Sequence, residues 1–335
     1  MQDFVAIYFE HILTVLKKPF DPTQRIYFLY VATSVFVAFL IWRAHRRANF
    51  SEGKGSFLKF LFPKSVWDHP SAWLDVRYFF FHKFIGHFLM FGALGASGAG
   101  MFRLITGEAL TGLSATQQGP LSWGIVVLYM IVSAIVVDFL GFAAHYAQHK
   151  VPVLWEFHKV HHSAEVMHPL SNYREHPIDN FFYALLIGAG YGGVAGVAYL
   201  LIGVVPTLPS ILGVPILMFL FNIAAYNLRH SHVWLRWPGV WSKIFPSPAH
   251  HHVHHSCHPD HFDKNFAFMF PLWDVIFGTY IMPEDNRDVK FGVAGMKPME
   301  MDSCWKLYWV PFQKAGRRIR RKFNRGKTGH STPAE

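Results

Sequence analysis

Five imidazoles fall within residues 145–162: His145 and His149, then His158, His161 and His162. On a helix, residues spaced i, i+3 and i+4 lie one above the other on a single face, so each run presents its rings together. The stretch Ala249-His-His-His-Val-His-His255 repeats the His-x-x-His-His register of 158/161/162, and only at 251/254/255. A single histidine at a membrane interface is ordinarily a hydrogen-bonded structural residue, because an amphipathic ring is comfortable there. Groups in related spacings are different. With His230, they give nine ligand candidates: His145, His149, His158, His161, His162, His230, His251, His254 and His255. Nine imidazoles exceed one metal's coordination sphere and suit two. Imidazole favours zinc, copper, iron or nickel, whereas magnesium and calcium take oxygen. Neutral rings leave the metal charge uncancelled, so such a pair stays electrophilic and can hold dioxygen or hydroxide.

The remaining histidines rank lower. His250 and His252 point off the face made by His251 and His255, and His176, before Pro177, is a tenth candidate. His168, His232, His258 and His261 are near these groups in sequence without a spacing argument, and His82 and His87 sit in an apolar run that could approach them or simply pack. Asp138 stands seven residues before His145, two turns up the same face. A buried carboxylate there needs a partner, either a ligand imidazole or a neighbouring helix.

The elements that position these residues are membrane helices. The chain of 335 residues is 52% hydrophobic and 17% aromatic with 16% charged, against roughly 25% charged in a soluble domain. Two cysteines, Cys257 and Cys304, are too few for a thiolate-dominated zinc site or a disulfide framework. The net charge of +10 lies beside apolar runs and in the tail (Arg317, Arg318, Arg320, Arg321, Lys322); that distribution fits anionic lipid rather than nucleic acid. Asp3 and Glu10 stand where a signal peptide carries basic residues.

Hydropathy predicts an all-α, polytopic bundle of about five spans, 26–42, 78–101, 121–144, 181–202 and 210–226, with a cytoplasmic helical cap that holds the metals. Residues 1–25 form an amphipathic interfacial segment, 26–285 the membrane catalytic domain with histidine-rich parts 145–180 and 227–285, and 286–335 an interfacial segment and basic tail. Arg43, Arg46 and Arg47 follow the first span, so its end faces the cytoplasm. Five spans then place every histidine group and the C-terminus on the cytoplasmic side and the N-terminus outside. The small residues Gly92, Ala93, Gly95, Ala96, Ser97, Gly98 and Gly100 suit close helix packing.

Together, His145-x3-His149, His158-Lys-Val-His161-His162-Ser-Ala-Glu165, Tyr173-Arg-Glu-His176-Pro177, His230-Ser, His251-x2-His254-His255, Asp263-x-Asn265-Phe and Leu272-Trp-Asp274-x-Ile-Phe-Gly-Thr279 resemble the fatty acid hydroxylase and sterol desaturase superfamily of integral membrane enzymes. The resemblance runs over about residues 75–285. It implies two irons, replaceable by zinc in heterologous protein, held by the nine histidines with His176 close by. It also implies dioxygen as co-substrate and hydroxylation or desaturation of an unactivated carbon of a lipid such as a fatty acyl chain or sterol. Asp138, Glu165 and Asp274 are then expected to support the ligand rings. Tyr146 and His232 depart from the pattern, where relatives often carry arginine and asparagine. No His-Pro-Gly-Gly haem segment is seen, so electrons are expected from a separate cytochrome b5-like or ferredoxin/reductase partner. Two other readings use the same histidines: a membrane metal-binding or metal-transport protein, and a surface zinc hydrolase with Glu165 or Glu175 as base. Transporters hold their ions near the bilayer midplane, whereas these groups gather at one face.

Overall fold

The computed structural model describes residues 13–85, 88–110, 121–224, 226–284, 289–297 and 299–328. The first long helix, α1 (Phe28–Arg47), ends in Arg46 and Arg47, cations that suit the negative end of a helix dipole. Over and around the expected second span the described residues form α2 (Pro70–Ile85) and α3 (Phe88–Thr106). Ser122 caps α4 (Trp123–Lys150) by accepting from the Ile125 N–H; its 28 residues reach about 42 Å. Pro152 cannot continue that helix. Val151 is extended at φ −89° and ψ 113°, and α5 (Pro152–His162) starts at once with proline in its first turn. This single extended residue folds the second histidine run back beside the first.

His176 caps α6 (Pro177–Ile202), which stops at Gly203 with φ 77°, the left-handed geometry glycine adopts without a Cβ penalty. Among the described residues, α1, α4 and α6 are the helices long and apolar enough to cross a membrane. The outward faces of α4 and α6 expose Trp123, Leu128, Ile131, Leu200 and Leu201, which hydrocarbon can cover.

The expected fifth span, 210–226, is a different object. Two short strands, β1 (Ser210–Ile211) and β2 (Val214–Pro215), pair antiparallel around Leu212 and Gly213, and α7 (Ile216–Ile223) follows. Eight residues give about 12 Å of helix, short of a bilayer core of about 30 Å. Pro215, inside the apolar run, removes a helical N–H and resets the helix start. The hairpin packs instead on α1, where Val214 and Phe219 bury Tyr27 and Tyr30.

Three contacts hold the frame. A Cβ on Gly192 of α6 would lie 2.0 Å from the Gly98 carbonyl oxygen of α3, so these helices touch backbone to backbone. Gly141 of α4 receives the Tyr183 hydroxyl of α6, 2.8 Å from where its Cβ would stand. The C-terminal α10 (Cys304–Thr328) buries Leu307 with Val160 of α5, Leu74 and Tyr78 of α2, and Met301. Helix α5 is thereby clamped between α4, α6 and α10.

Candidate metal centre

Each histidine reaches the centre from an element whose start or end is fixed locally. The last turns of α4 carry His145 and His149, with ring centroids 5.2 Å apart. On α5, His158 and His162 face those two, while His161 turns away. A 3-10 turn, Tyr226–His230, delivers His230. Pro248 starts α8 (Pro248–His254) and the chain leaves it at His255. The result is two groups, His145, His149, His158, His162 and His254 in one, and His161, His230, His251 and His255 in the other. Within each group the ligand-capable atoms lie within 4.8 Å of one another. The groups share a wall, His162 stacked on His255 at 4.4 Å and 23°.

Ring nitrogens face ring nitrogens. Nε2 of His149 is 3.1 Å from Nε2 of His162, and Nε2 of His251 is 2.8 Å from His230 and 3.0 Å from His255. Nε2 of His158 and His254 and Nδ1 of His161 and His255 are buried with no hydrogen-bond partner. Burial, reinforced by neighbouring positive charge, holds His158, His162, His230, His251, His254 and His255 well below 6.5. That direction favours neutral rings, each with one nitrogen lone pair to offer, and four of these buried nitrogens have no partner. Buried acceptors left this way are costly, and a divalent cation in each group removes the cost. The donor set, all imidazole, fits iron or zinc.

On four rings the outer nitrogen is spoken for, and its partner bears on which nitrogen faces inward. His145 Nδ1 donates to the Phe266 carbonyl at 2.8 Å and His254 Nδ1 to the Lys264 carbonyl at 2.8 Å; carbonyls only accept, so Nε2 is the free atom in both. His158 Nδ1 donates to Asp179 Oδ2 at 2.9 Å, and Gln148 donates to Asp179 Oδ1 at 2.6 Å. His230 Nδ1 pairs with the Ser171 hydroxyl at 3.0 Å.

All nine candidate histidines fall in the two groups; the supporting residues fall differently. His176 is in neither. Its Nδ1 accepts from the Ile178 N–H at 3.1 Å and its Nε2 donates to the Tyr308 carbonyl at 3.0 Å, so both nitrogens are spent on capping α6 and holding α10. Asp138 touches no imidazole. It accepts from the Met269 and Phe270 N–H groups and from Trp273 Nε1, at 2.8, 3.0 and 3.0 Å. Asp274, on the short α9 (Leu272–Ile276), accepts from the Phe266 and Ala267 N–H groups and the Thr279 hydroxyl. Both aspartates thus shape the 264–270 loop whose carbonyls receive His145 and His254, one step removed from the rings. Glu165 lies outside: its exposed side chain is 3.7 Å from His69, because the chain leaves α5 at Ser163 and turns away.

His168 donates to Asp75, His232 to the Phe60 carbonyl, His250 bonds Ser247 and Ser242, His252 donates to the Leu228 carbonyl, and His82 pairs with the Tyr308 hydroxyl. His87 is outside the described residues. Asp179, Gln148 and Ser171 were missed in the sequence. The signal for Asp179 was its place in the first turn of α6, where a carboxylate is favoured.

A cavity of about 270 Å³ opens under the centre, lined by His145, His158, His161, His230 and His251 together with Arg25, Glu175 and Arg229. A second, of about 310 Å³, lies between α4, α6 and the 208–218 hairpin, with Met130, Val137, Leu217 and Met218 in its wall. Arg25, Tyr183, Ile187 and Phe268 border both, so the two spaces adjoin.

Residues 130–279 match the fatty acid hydroxylase family. The chain is 27% identical over 177 residues to alkylglycerol monooxygenase of Danio rerio, a match covering 49% of this chain and 35% of that protein. It is 26% identical over 187 residues to alkylglycerol monooxygenase of Homo sapiens, covering 52% and 37%. With the ornithine lipid hydroxylase OlsE of Rhizobium tropici it shares 26% over 170 residues, covering 50% and 46%. The chain thus spans about a third to under half of the length of these curated relatives. No solved structure matches.

Proposed function

From its membership of the fatty acid hydroxylase superfamily, we propose that this chain is a membrane-bound, dioxygen-dependent di-iron oxygenase that hydroxylates or desaturates a lipid at an unactivated carbon. The observation that carries the reading is the pair of buried, proton-poor histidine groups sharing one wall above a cavity that adjoins an apolar space among the membrane helices. His145, His149, His158, His162 and His254 would hold one iron, and His161, His230, His251 and His255 the other. Bound iron supplies reductive activation of dioxygen and one-electron attack on a C–H bond.

The chain's own part is placement. Asp179, Ser171 and the carbonyls of Lys264 and Phe266 hold the ring tautomers so that nitrogen lone pairs, not protons, face the centre. Apolar walls exclude water and admit an alkyl chain from the bilayer. The His232 contact with the Phe60 carbonyl, in the segment after the arginine-rich end of α1, supports a placement of that end on the histidine side, and the positive-inside rule favours the cytoplasm for it. Electrons come from a separate donor protein on that face.

Protein purified in detergent after expression with iron should carry about two metals per chain, and His162→Ala or His255→Ala should lose most of it. Native protein with one metal or none would defeat the dimetal reading, and lipid turnover that continues without oxygen would remove the oxygenase.

A further inference from the structure

Around α9 the chain is turned inside out for a part of a water-facing cap. Leu272, Val275 and Ile276, spaced i, i+3 and i+4, share one face of the helix and are exposed, as is Phe277 beside them. The polar side chains point the other way: Asp274 is 2% exposed where Ile276 is 60%, and Thr279 is buried with it. The turn Trp241–Ile244, which packs on α9, repeats the arrangement. Ser242 is buried there against Tyr280 and His250, while Val240, Trp241, Ile244 and Phe245 are exposed. The one cation of that turn, Lys243, has a stem long enough to carry its ammonium to a polar boundary. An exposed apolar face of this extent calls for a partner.

Its depth is set by α4. Trp273 lies against Phe139 and Phe277 against Phe142, with ring centroids 5.0 and 5.2 Å apart. Asp138, one residue before Phe139, binds Met269, Phe270 and Trp273. At the far end of α4 stands exposed Trp123, a residue type that anchors spans at their boundary. From Trp123 to Phe142 the helix rises about 29 Å, against about 30 Å of bilayer core, and tilt only lowers that rise along the membrane normal. Ile131 and Ile135, two turns and one turn before Phe139 on the same side, are exposed. The lipid-facing side of α4 therefore runs on to the level of α9.

That depth also accounts for the two buried aspartates. Irregular backbone in hydrocarbon must have its N–H groups satisfied by protein, because no water is there to do it. The N–H groups of Phe266, Ala267, Met269 and Phe270 donate to the carboxylates of Asp274 and Asp138. Those of Trp273, Val275, Phe277, Thr279 and Tyr280 donate to carbonyls within the segment.

We propose that Leu272, Val275, Ile276 and Phe277, with Trp241 and Phe245 beside them, are immersed in the acyl chains of the leaflet on the histidine side. Segment 266–280 is then a strap that dips into the bilayer instead of lying above it, and the Phe266 carbonyl that receives His145 hangs from that strap. The inference goes beyond the oxygenase reading and stands or falls without it.

The test uses the full-length protein in phosphatidylcholine vesicles. A lipid carrying a photoactivated diazirine on its acyl chain should label residues 272–277 and 240–245 of the unmutated chain as heavily as the exposed face of α4 around Leu128, and several-fold more than residues 258–263. Nitroxides placed by Ile276→Cys and Phe245→Cys, with Cys257→Ser and Cys304→Ser, then say what surrounds each position. Collisions should favour dioxygen, which partitions into hydrocarbon, over a water-soluble nickel chelate, as at Leu128→Cys and opposite to Asp260→Cys. Labelling no heavier than at 258–263 overturns the proposal, and it does so on a chain that carries no substitution. Nickel collisions as frequent as at Asp260→Cys place the face in water and overturn it. Protection from both reagents means that another chain covers the face and overturns it too, with dipolar broadening between labels identifying that chain as a second copy. None of these outcomes touches metal content or the need for dioxygen, so the oxygenase reading is decided separately.

Discussion

Asp179 orients a candidate ligand without being one. Its contact with His158 Nδ1 is 2.9 Å in a buried pocket, and Gln148 holds its other oxygen. Asp179→Ala should therefore spare the fold and lower metal affinity in the five-histidine group by roughly 10- to 100-fold, while Asp179→Asn, which keeps one acceptor oxygen, should lose less. Competition with a graded chelator measures this; equal affinities in all three proteins would show that the ring needs no carboxylate. The contrast with Glu165 marks how far local pattern carries. Eight of the nine candidate histidines were legible because i, i+3 and i+4 spacing puts rings on one helical face whatever the tertiary structure; His230 has no such spacing. Asp179 was not legible, because it comes from a helix beginning fifteen residues past the end of α5. Glu165 is three residues from His162 yet outside the centre, since the intervening turn reverses the chain. His176, expected beside the centre, instead spends its two nitrogens on capping α6 and binding α10.

At the scale of elements, hydropathy located α1, α4 and α6 and overran at 210–226. That run is apolar enough for a span, but Pro215 and the left-handed Leu212 and Gly213 make it a hairpin and a two-turn helix. The small-residue stripe of α3 was legible as a packing face without its partner. Its Ser97 and Gly98 meet Gly188 and Gly192 of α6, whereas the Cβ positions of Gly95 and Gly100 have nothing within 4 Å. Two substitutions on this pair of helices should then move in opposite directions. Gly192→Ala drives a Cβ to 2.0 Å from a backbone oxygen, which cannot yield as a side chain can, so α6 must shift and carry Asp179 with it. Thermal unfolding in detergent should begin several degrees lower. Gly100→Ala meets open space and removes backbone freedom, a gain of about 0.5–1 kcal/mol in a helix interior. Equal melting of the two variants would mean that α3 and α6 do not touch along Gly98 and Gly192.

For the whole molecule, the concentration of buried neutral imidazoles makes folding a proton-linked event. Burial pushes His250 down to about 3 and His252 to about 4, and His158, His162, His230, His251, His254 and His255 also lie well below 6.5. In the unfolded chain these rings take up protons near pH 6.5. Below that pH the unfolded state binds more protons than the folded one, so stability is fully present above about 6.5 and falls as the pH falls, by up to about 1.4 kcal/mol per pH unit for each ring. Several rings acting together make the transition steep. A metal held by the deprotonated rings of the folded chain would add mass-action stabilisation and compete with the protons that drive unfolding. Chelator-treated protein should thus lose its near-ultraviolet circular dichroism in a cooperative acid transition starting below pH 6.5. The same protein loaded with iron or zinc should hold its signal to a pH at least about one unit lower. A shallow, one-proton transition would mean that the rings are not buried as a group, and a transition unmoved by metal would mean that the two histidine groups are not where the metal binds.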